Sequence, residues 1–178
     1  MRIRAAILSL LLAIAPTGCV LEYHGGAQFL TQSSGPITQS VTGGAGWAFG
    51  DGRGAIGEVV EGSVGVDDRS GRLAGSFLGG LEYSTWGGER DRAQRFALLG
   101  GYGGTSRAHH DVGLVMARYS YAWPLAESDD GRGMTSVSLD PSIGMALPLA
   151  ESDRSTGVVI GLGITFRHES FSEWKFHL

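Results

Sequence analysis

The chain has 178 residues, is 42% hydrophobic and carries a formal charge of −4, which is the length of one domain and too apolar for a disordered chain. An acidic balance without a basic block excludes a nucleic-acid binder and a polybasic contact to an anionic membrane surface. Glycine is the outlier at 30 residues, more than twice the usual share of roughly 7%. With only 5 prolines, neither a collagen-like chain nor a simple linker fits.

Arg2 and Arg4 precede an apolar run from Ala5 to Ala15. A helix needs ~20 apolar residues to span a bilayer, so this run has the length of a signal-peptide core. Residues 1–18 therefore read as a signal peptide and residues 19–178 as a single β-barrel domain. Removing the leader leaves twelve bases against eighteen acids. Ala15-Pro16-Thr17-Gly18-Cys19 closes the leader with small residues. Over these 19 residues the chain resembles a bacterial lipoprotein precursor, with Gly18-Cys19 as the end of a lipobox and Pro16 where Leu is usual. The resemblance implies cleavage before Cys19 and a lipid on its sulfur. Cys19 is the only cysteine, so no disulfide forms within the chain.

After residue 20 no helical period is sustained, and apolar residues recur at period two. Leu21, Tyr23, Ala27 and Phe29 alternate with Glu22, His24, Gly26 and Gln28. Val41, Ala45, Trp47 and Phe49 alternate with Thr42, Gly44 and Gly46. Residues 55–66 read as a strand with mixed faces. Leu73, Phe77, Leu81 and Tyr83 alternate with Arg72, Ser76, Gly80 and Glu82, and Phe96, Leu98 and Tyr102 with Arg95, Ala97 and Gly101. Residues 111–123 form a second mixed strand. Val158, Ile160, Leu162, Ile164 and Phe166 alternate with glycines, Thr165 and Arg167. Clusters such as Gly50-Asp51-Gly52, Asp67 to Gly71, Gly87 to Asp91 and Ser128 to Gly131 are turn chemistry. The pattern predicts an all-β fold, an antiparallel meander closed as a barrel of 8–10 strands. The open points are residues 132–149, where Asp140-Pro141 is a turn or a bulge, and residues 171–178. Residues 122–129 and 146–153 repeat at an offset of 24, read as two strands and two turns, which places both acidic loops at one end of the meander.

The aromatic faces and the Gly-rich, charged faces opposite them, with Glu22, His24, Arg72, Glu82, Arg95 and Arg118, favour a barrel whose apolar side meets lipid. Strands of ~9–11 residues suit a tilted span. Glu58 and Asp111 fall on or near apolar faces, against that orientation. Trp47, Trp86, Trp123 and Trp174 are candidate interface girdles. Trp174, Phe176 and Leu178 alternate with Lys175 and His177, which resembles the last strand of outer-membrane barrels, with Leu178 in place of the aromatic end.

Chemistry is sparse. His109-His110-Asp111 is the densest ligand-like cluster, and it lacks a third partner at metal-site spacing. The acidic stretches at 127–130 and 151–153 read as solvated turns, and the glycine run at 100–104 lacks the Lys-Ser/Thr of a phosphate loop. His168, Ser170 and Glu173 resemble the His-x-Ser and acid set of outer-membrane lipid A deacylases, which would imply a lipid-modifying hydrolase. The expectation is a small outer-membrane barrel, lipid-anchored at Cys19, with a structural or interaction role. It needs no catalytic, metal or cofactor residues, contacts membrane lipid and binds no nucleic acid. The runner-up is a tethered, soluble lipocalin-like barrel around a small apolar ligand; the hydrolase is third.

Overall fold

The computed structural model describes residues 18–33, 37–50, 54–68, 71–86, 93–106, 111–149 and 156–172. They form eight strands: β1 (Gly18–Gln32), β2 (Ile37–Gly50), β3 (Gly54–Asp67), β4 (Leu73–Trp86), β5 (Ala93–Thr105), β6 (Val112–Glu127), β7 (Gly133–Pro148) and β8 (Gly157–Ser172). Each pairs antiparallel with the next, and β1 pairs with β8, so the sheet closes as a barrel in sequence order. The predicted class holds and the strand count is eight. The leader and its boundary at residue 18 lie outside the described residues, except that Gly18 and Cys19 open β1 opposite Gly50 and Phe49.

The strands run 13 to 16 residues, longer than the alternation alone suggested. The repeat offset of 24 therefore covers one strand and one turn, not two of each. Its first copy ends β6 near the termini; its second ends β7 at the opposite rim. The two copies thus end at opposite rims, which corrects the expectation that they share one end.

Asp140-Pro141 is no turn. Both residues lie inside β7, with Asp140 facing in and Pro141 facing out. On the β6 side the ladder pairs Arg118 with Ser142 and Tyr121 with Leu139 and skips the positions between, without changing register. Proline has no N–H to give there. A true irregularity sits lower down, where the pairing shifts between Pro124 and Ala126. Two turns confirm the turn chemistry, because Gly71 (φ 61°) and Gly131 (φ 66°) occupy the left-handed region that other residues avoid. At the second, Ser128 Oγ donates to Asp130 (2.6 Å) and accepts from the Gly133 N–H (2.7 Å). That hydroxyl, with the Arg132 N–H, holds the Asp130 carboxyl below its ordinary range.

The faces are inverted relative to a water-soluble barrel. Among the described residues thirty-one large apolar side chains are 40% exposed or more, and they point outward on every strand. Arg95, Arg167 and Glu169 are among the most deeply buried side chains. This removes the premise of the lipocalin-like alternative, in which aromatics line an apolar lumen. Glu58 does face outward, in register with Trp47 and Leu81. It lies on the termini half, where outward Trp47, Phe49, Tyr83, Phe96, Tyr119, Tyr121 and Trp123 gather. Three edge or tilted ring pairs tie this zone together: Trp47–Phe49, Phe96–Tyr119 and Tyr121–Trp123, with centroids 4.8–5.2 Å apart. Trp86 does not belong to it. It points into the barrel and packs edge-on against Phe171. Trp174 and the rest of the C-terminal alternation lie outside the described residues.

Candidate functional site

An eight-stranded barrel is just wide enough for side chains to fill it. Here the filling is layered. Near the termini, Val20, Ala55, Trp86, Ala93, Ala122 and Met134 form one apolar cluster. Toward the other rim, Val59, Leu78, Leu99, Leu114, Met116 and Val159 belong to a second. Between them lies a sheet of charge.

Six of the polar residues singled out by alternation meet there: Glu22, His24, Glu82, Arg95, Arg118 and Arg167. Arg72 does not, since it precedes β4 in an exposed turn. The sequence reading missed Glu61 and Glu169 as members. Arg95 pairs with Glu169 at 2.8 Å and approaches Glu82 at 3.8 Å. Arg167 contacts Glu82 at 2.9 Å and also bonds Glu22. Arg118 donates to Glu61 and lies 3.8 Å from Glu82. His24 bridges two carboxylates, with Nδ1 3.4 Å from Glu22 and Nε2 3.6 Å from Glu61. Trp86 Nε1 donates to Glu169 at 3.4 Å and ties the layer to the lower cluster.

Three arginines and His24 face four carboxylates in this layer. Burying charge is costly unless every group is paired, and the pairing explains the inward glycines. A Cβ on Gly44 would stand 2.5 Å from His24 Nε2, and one on Gly46 would stand 2.9 Å from Glu22 Oε1. Glycine here is space for the ionic layer. Apolar clusters lie above and below it, and we expect no channel activity from the refolded protein in a planar bilayer. A stepwise conductance would contradict the packing.

The other candidates do not assemble into a site. His109 and His110 lie outside the described residues. Asp111 sits just before β6, where it accepts a hydrogen bond from the Tyr102 hydroxyl. Among the described residues no group of three or more His, Cys, Asp or Glu is placed to hold a metal. In the 127–130 loop the Asp130 carboxylate is occupied by Ser128 and the Arg132 N–H; the 151–153 loop is outside the described residues. His168 and Ser170 share the outer face of β8, with Nε2 3.5 Å from the serine oxygen. The other ring nitrogen meets the Thr135 hydroxyl at 3.0 Å, where a catalytic set would need a carboxylate. Glu173 lies outside the described residues.

A closed meander of eight strands with this interior can be compared with solved structures. It shares its fold with Neisserial surface protein A. The match has a TM-score of 0.55 at 4% sequence identity and covers 85% of this chain and 96% of that one. At that identity the likeness speaks for the fold alone. No known protein family matches the sequence, and no curated protein matches it.

Proposed function

We propose that the chain is a small outer-membrane β-barrel with a structural or interaction role, exported by residues 1–18 and lipid-anchored at Cys19. One observation carries the reading: the apolar side chains face outward on all eight strands while the charges are inside. Exposed apolar surface on this scale has no place in water, and it is what a hydrocarbon layer requires. The dimensions agree. Thirteen to sixteen residues at ~3.3 Å each, tilted by ~40°, rise about 33–40 Å, enough to cross an apolar band of ~25 Å with margin at both ends. The outward aromatics on the termini half suit a membrane–water interface, and Glu58 among them reaches the headgroups at small cost. The likeness to a surface protein supports the same location.

Cys19 shares the parity of Leu21 and Tyr23, so its side chain is on the outer face at the first turn of β1. A lipid on its sulfur would enter the surrounding bilayer with no linker. Several acyl chains, each contributing ~0.8 kcal/mol per buried CH₂, make a firm anchor.

Fractionation and carbonate washing of the wild type and Cys19→Ala separate the two parts of the proposal. The embedded barrel predicts that both forms stay in the outer-membrane pellet, and that only the wild type incorporates labelled palmitate. Release of Cys19→Ala into the soluble fraction would overturn the embedding. Equal palmitate labelling of the two forms would overturn the anchor.

A further inference from the structure

The middle of the barrel holds a fifth carboxylate that the ionic layer does not serve. Asp140 is buried and faces inward from β7. Among the described residues every arginine contact there goes to Glu22, Glu61, Glu82 or Glu169, and none goes to Asp140. Five carboxylates therefore face three guanidiniums and His24. Negative charge is in excess by at least one, whatever the charge of the imidazole.

Asp140 Oδ1 has no hydrogen-bond partner in the protein, and neither have the hydroxyls of Ser120 and Ser142. All three residues are more than nine-tenths buried. They are neighbours on the inner wall. The pairing of Arg118 with Ser142 and of Tyr121 with Leu139 sets Ser120 opposite Asp140, where facing Cβ atoms stand ~4.5–5.5 Å apart. Ser142 follows two residues on along the same face, about 6.6 Å away. On the other side β8 sets Gly163 opposite Asp140 and Gly161 opposite Ser142, so it brings no side chain into this space. A Cβ on Gly163 would meet nothing closer than 3.5 Å, and one on Gly161 would stand 2.4 Å from Ser142 Oγ, which uses the room the glycine leaves.

We infer that Asp140, Ser120 and Ser142 form an internal site for one small monovalent cation of the size of sodium. Charge selects an ion. Water satisfies buried hydroxyls, but it leaves a buried carboxylate uncompensated, which is costly. The donors select a hard ion, because all of them are oxygens. One carboxylate with two neutral hydroxyls matches a single positive charge, whereas calcium collects ~6–8 oxygens. The site lies inside the barrel, so it stands whether or not the outer face meets lipid.

The test is urea unfolding of the full chain refolded in uncharged detergent micelles, followed by heat-modified mobility. Sodium chloride is compared with tetramethylammonium chloride at equal ionic strength, the second cation being too large for the space. Binding to the folded barrel makes the folding constant rise with sodium, by about tenfold for each tenfold rise once sodium exceeds its Kd. In Asp140→Asn that dependence is expected to vanish. Should Asp140→Asn fail to fold, the double variant Ser120→Ala with Ser142→Ala keeps the carboxylate and removes two ligands, and the dependence should begin only at higher sodium. Equilibrium dialysis with radioactive sodium is expected to find one ion per folded wild-type barrel and none in folded Asp140→Asn. Equal stability in the two salts, with no sodium held by the folded barrel, overturns the site and means that the carboxyl group is kept neutral by a proton. A sodium dependence that is unchanged in the folded variants overturns its placement at Asp140.

Discussion

Arg95→Met refolds poorly, and the barrel that does form melts at lower urea. Arg95 is fully buried and holds Glu169 at 2.8 Å, with Glu82 at 3.8 Å. Methionine fills much of its volume and gives those carboxylates nothing. Removing one member of a buried ion pair costs about 3–5 kcal/mol, because the survivor stays charged and desolvated. The loss is expected to be partly reversible by design. In Arg95→Met with Glu169→Gln the orphaned charge is gone, and the amide still accepts from Trp86 Nε1. Most of the lost stability should return, as it does when a buried pair is replaced as a whole. Urea midpoints for refolding into detergent micelles, followed by heat-modified mobility, give the comparison. If the single variant is as stable as the wild type, the ionic layer is not what holds the interior together.

Gly44→Val is expected to be at least as damaging by a different route. A Cβ at this position would stand 2.2 Å from the Val60 carbonyl oxygen and 2.5 Å from the His24 ring. The first contact is backbone and cannot yield without spreading β2 from β3. The second pushes His24 off its two carboxylates. Overpacking and a broken charge network act together, so a cost of about 3 kcal/mol or more follows. Gly62→Ala is the control. It sits on the neighbouring strand, where the nearest atom to a new Cβ is 3.9 Å away, and it should change stability by no more than ~0.5 kcal/mol. Equal effects of the two substitutions would mean that glycine serves the strands generally and makes no room for the interior.

Much of the architecture was legible in the residues. Period-two faces on five segments, punctuated by Asp, Ser and Gly clusters, are enough to predict an antiparallel meander. The disposition of Glu22, His24, Glu82 and Arg95 opposite the aromatics marks two faces, which suits a soluble barrel with its apolar side in as well as a lipid-facing one with its apolar side out; the glycines on the charged face favoured the second. The parts that were not legible have definite causes. Glu61 was hidden because β3 mixes its faces: Gly62 and Ser63 blur the alternation, and Glu58 points outward. Glu169 was hidden because the His168-x-Ser170 pair on either side of it stood out, and the alternation was followed only to Arg167, although β8 continues to Ser172. Asp140-Pro141 reads as a break, yet a barrel strand accepts proline when one ladder gap is tolerated without a register change. The repeat misled because strand length was underestimated, and strand length decides at which rim each copy ends. Trp86 shares the parity of Glu82 and Ser84 on β4, so the alternation itself places it inside; residue type alone had grouped it with the interface aromatics.

The orientation of the faces is tested most directly by the tryptophans. Variants that keep a single Trp at 47, 86 or 123, with Phe at the others and at 174, can be refolded into vesicles containing brominated phosphatidylcholine. Trp47 and Trp123 are 42% and 47% exposed on the outside, whereas Trp86 is 7% exposed and points inward. The account predicts strong quenching of Trp47 and Trp123 by the brominated chains and little quenching of Trp86. Quenching of none of the three in folded protein, or of Trp86 alone, would mean that the apolar face does not meet lipid, and would contradict it.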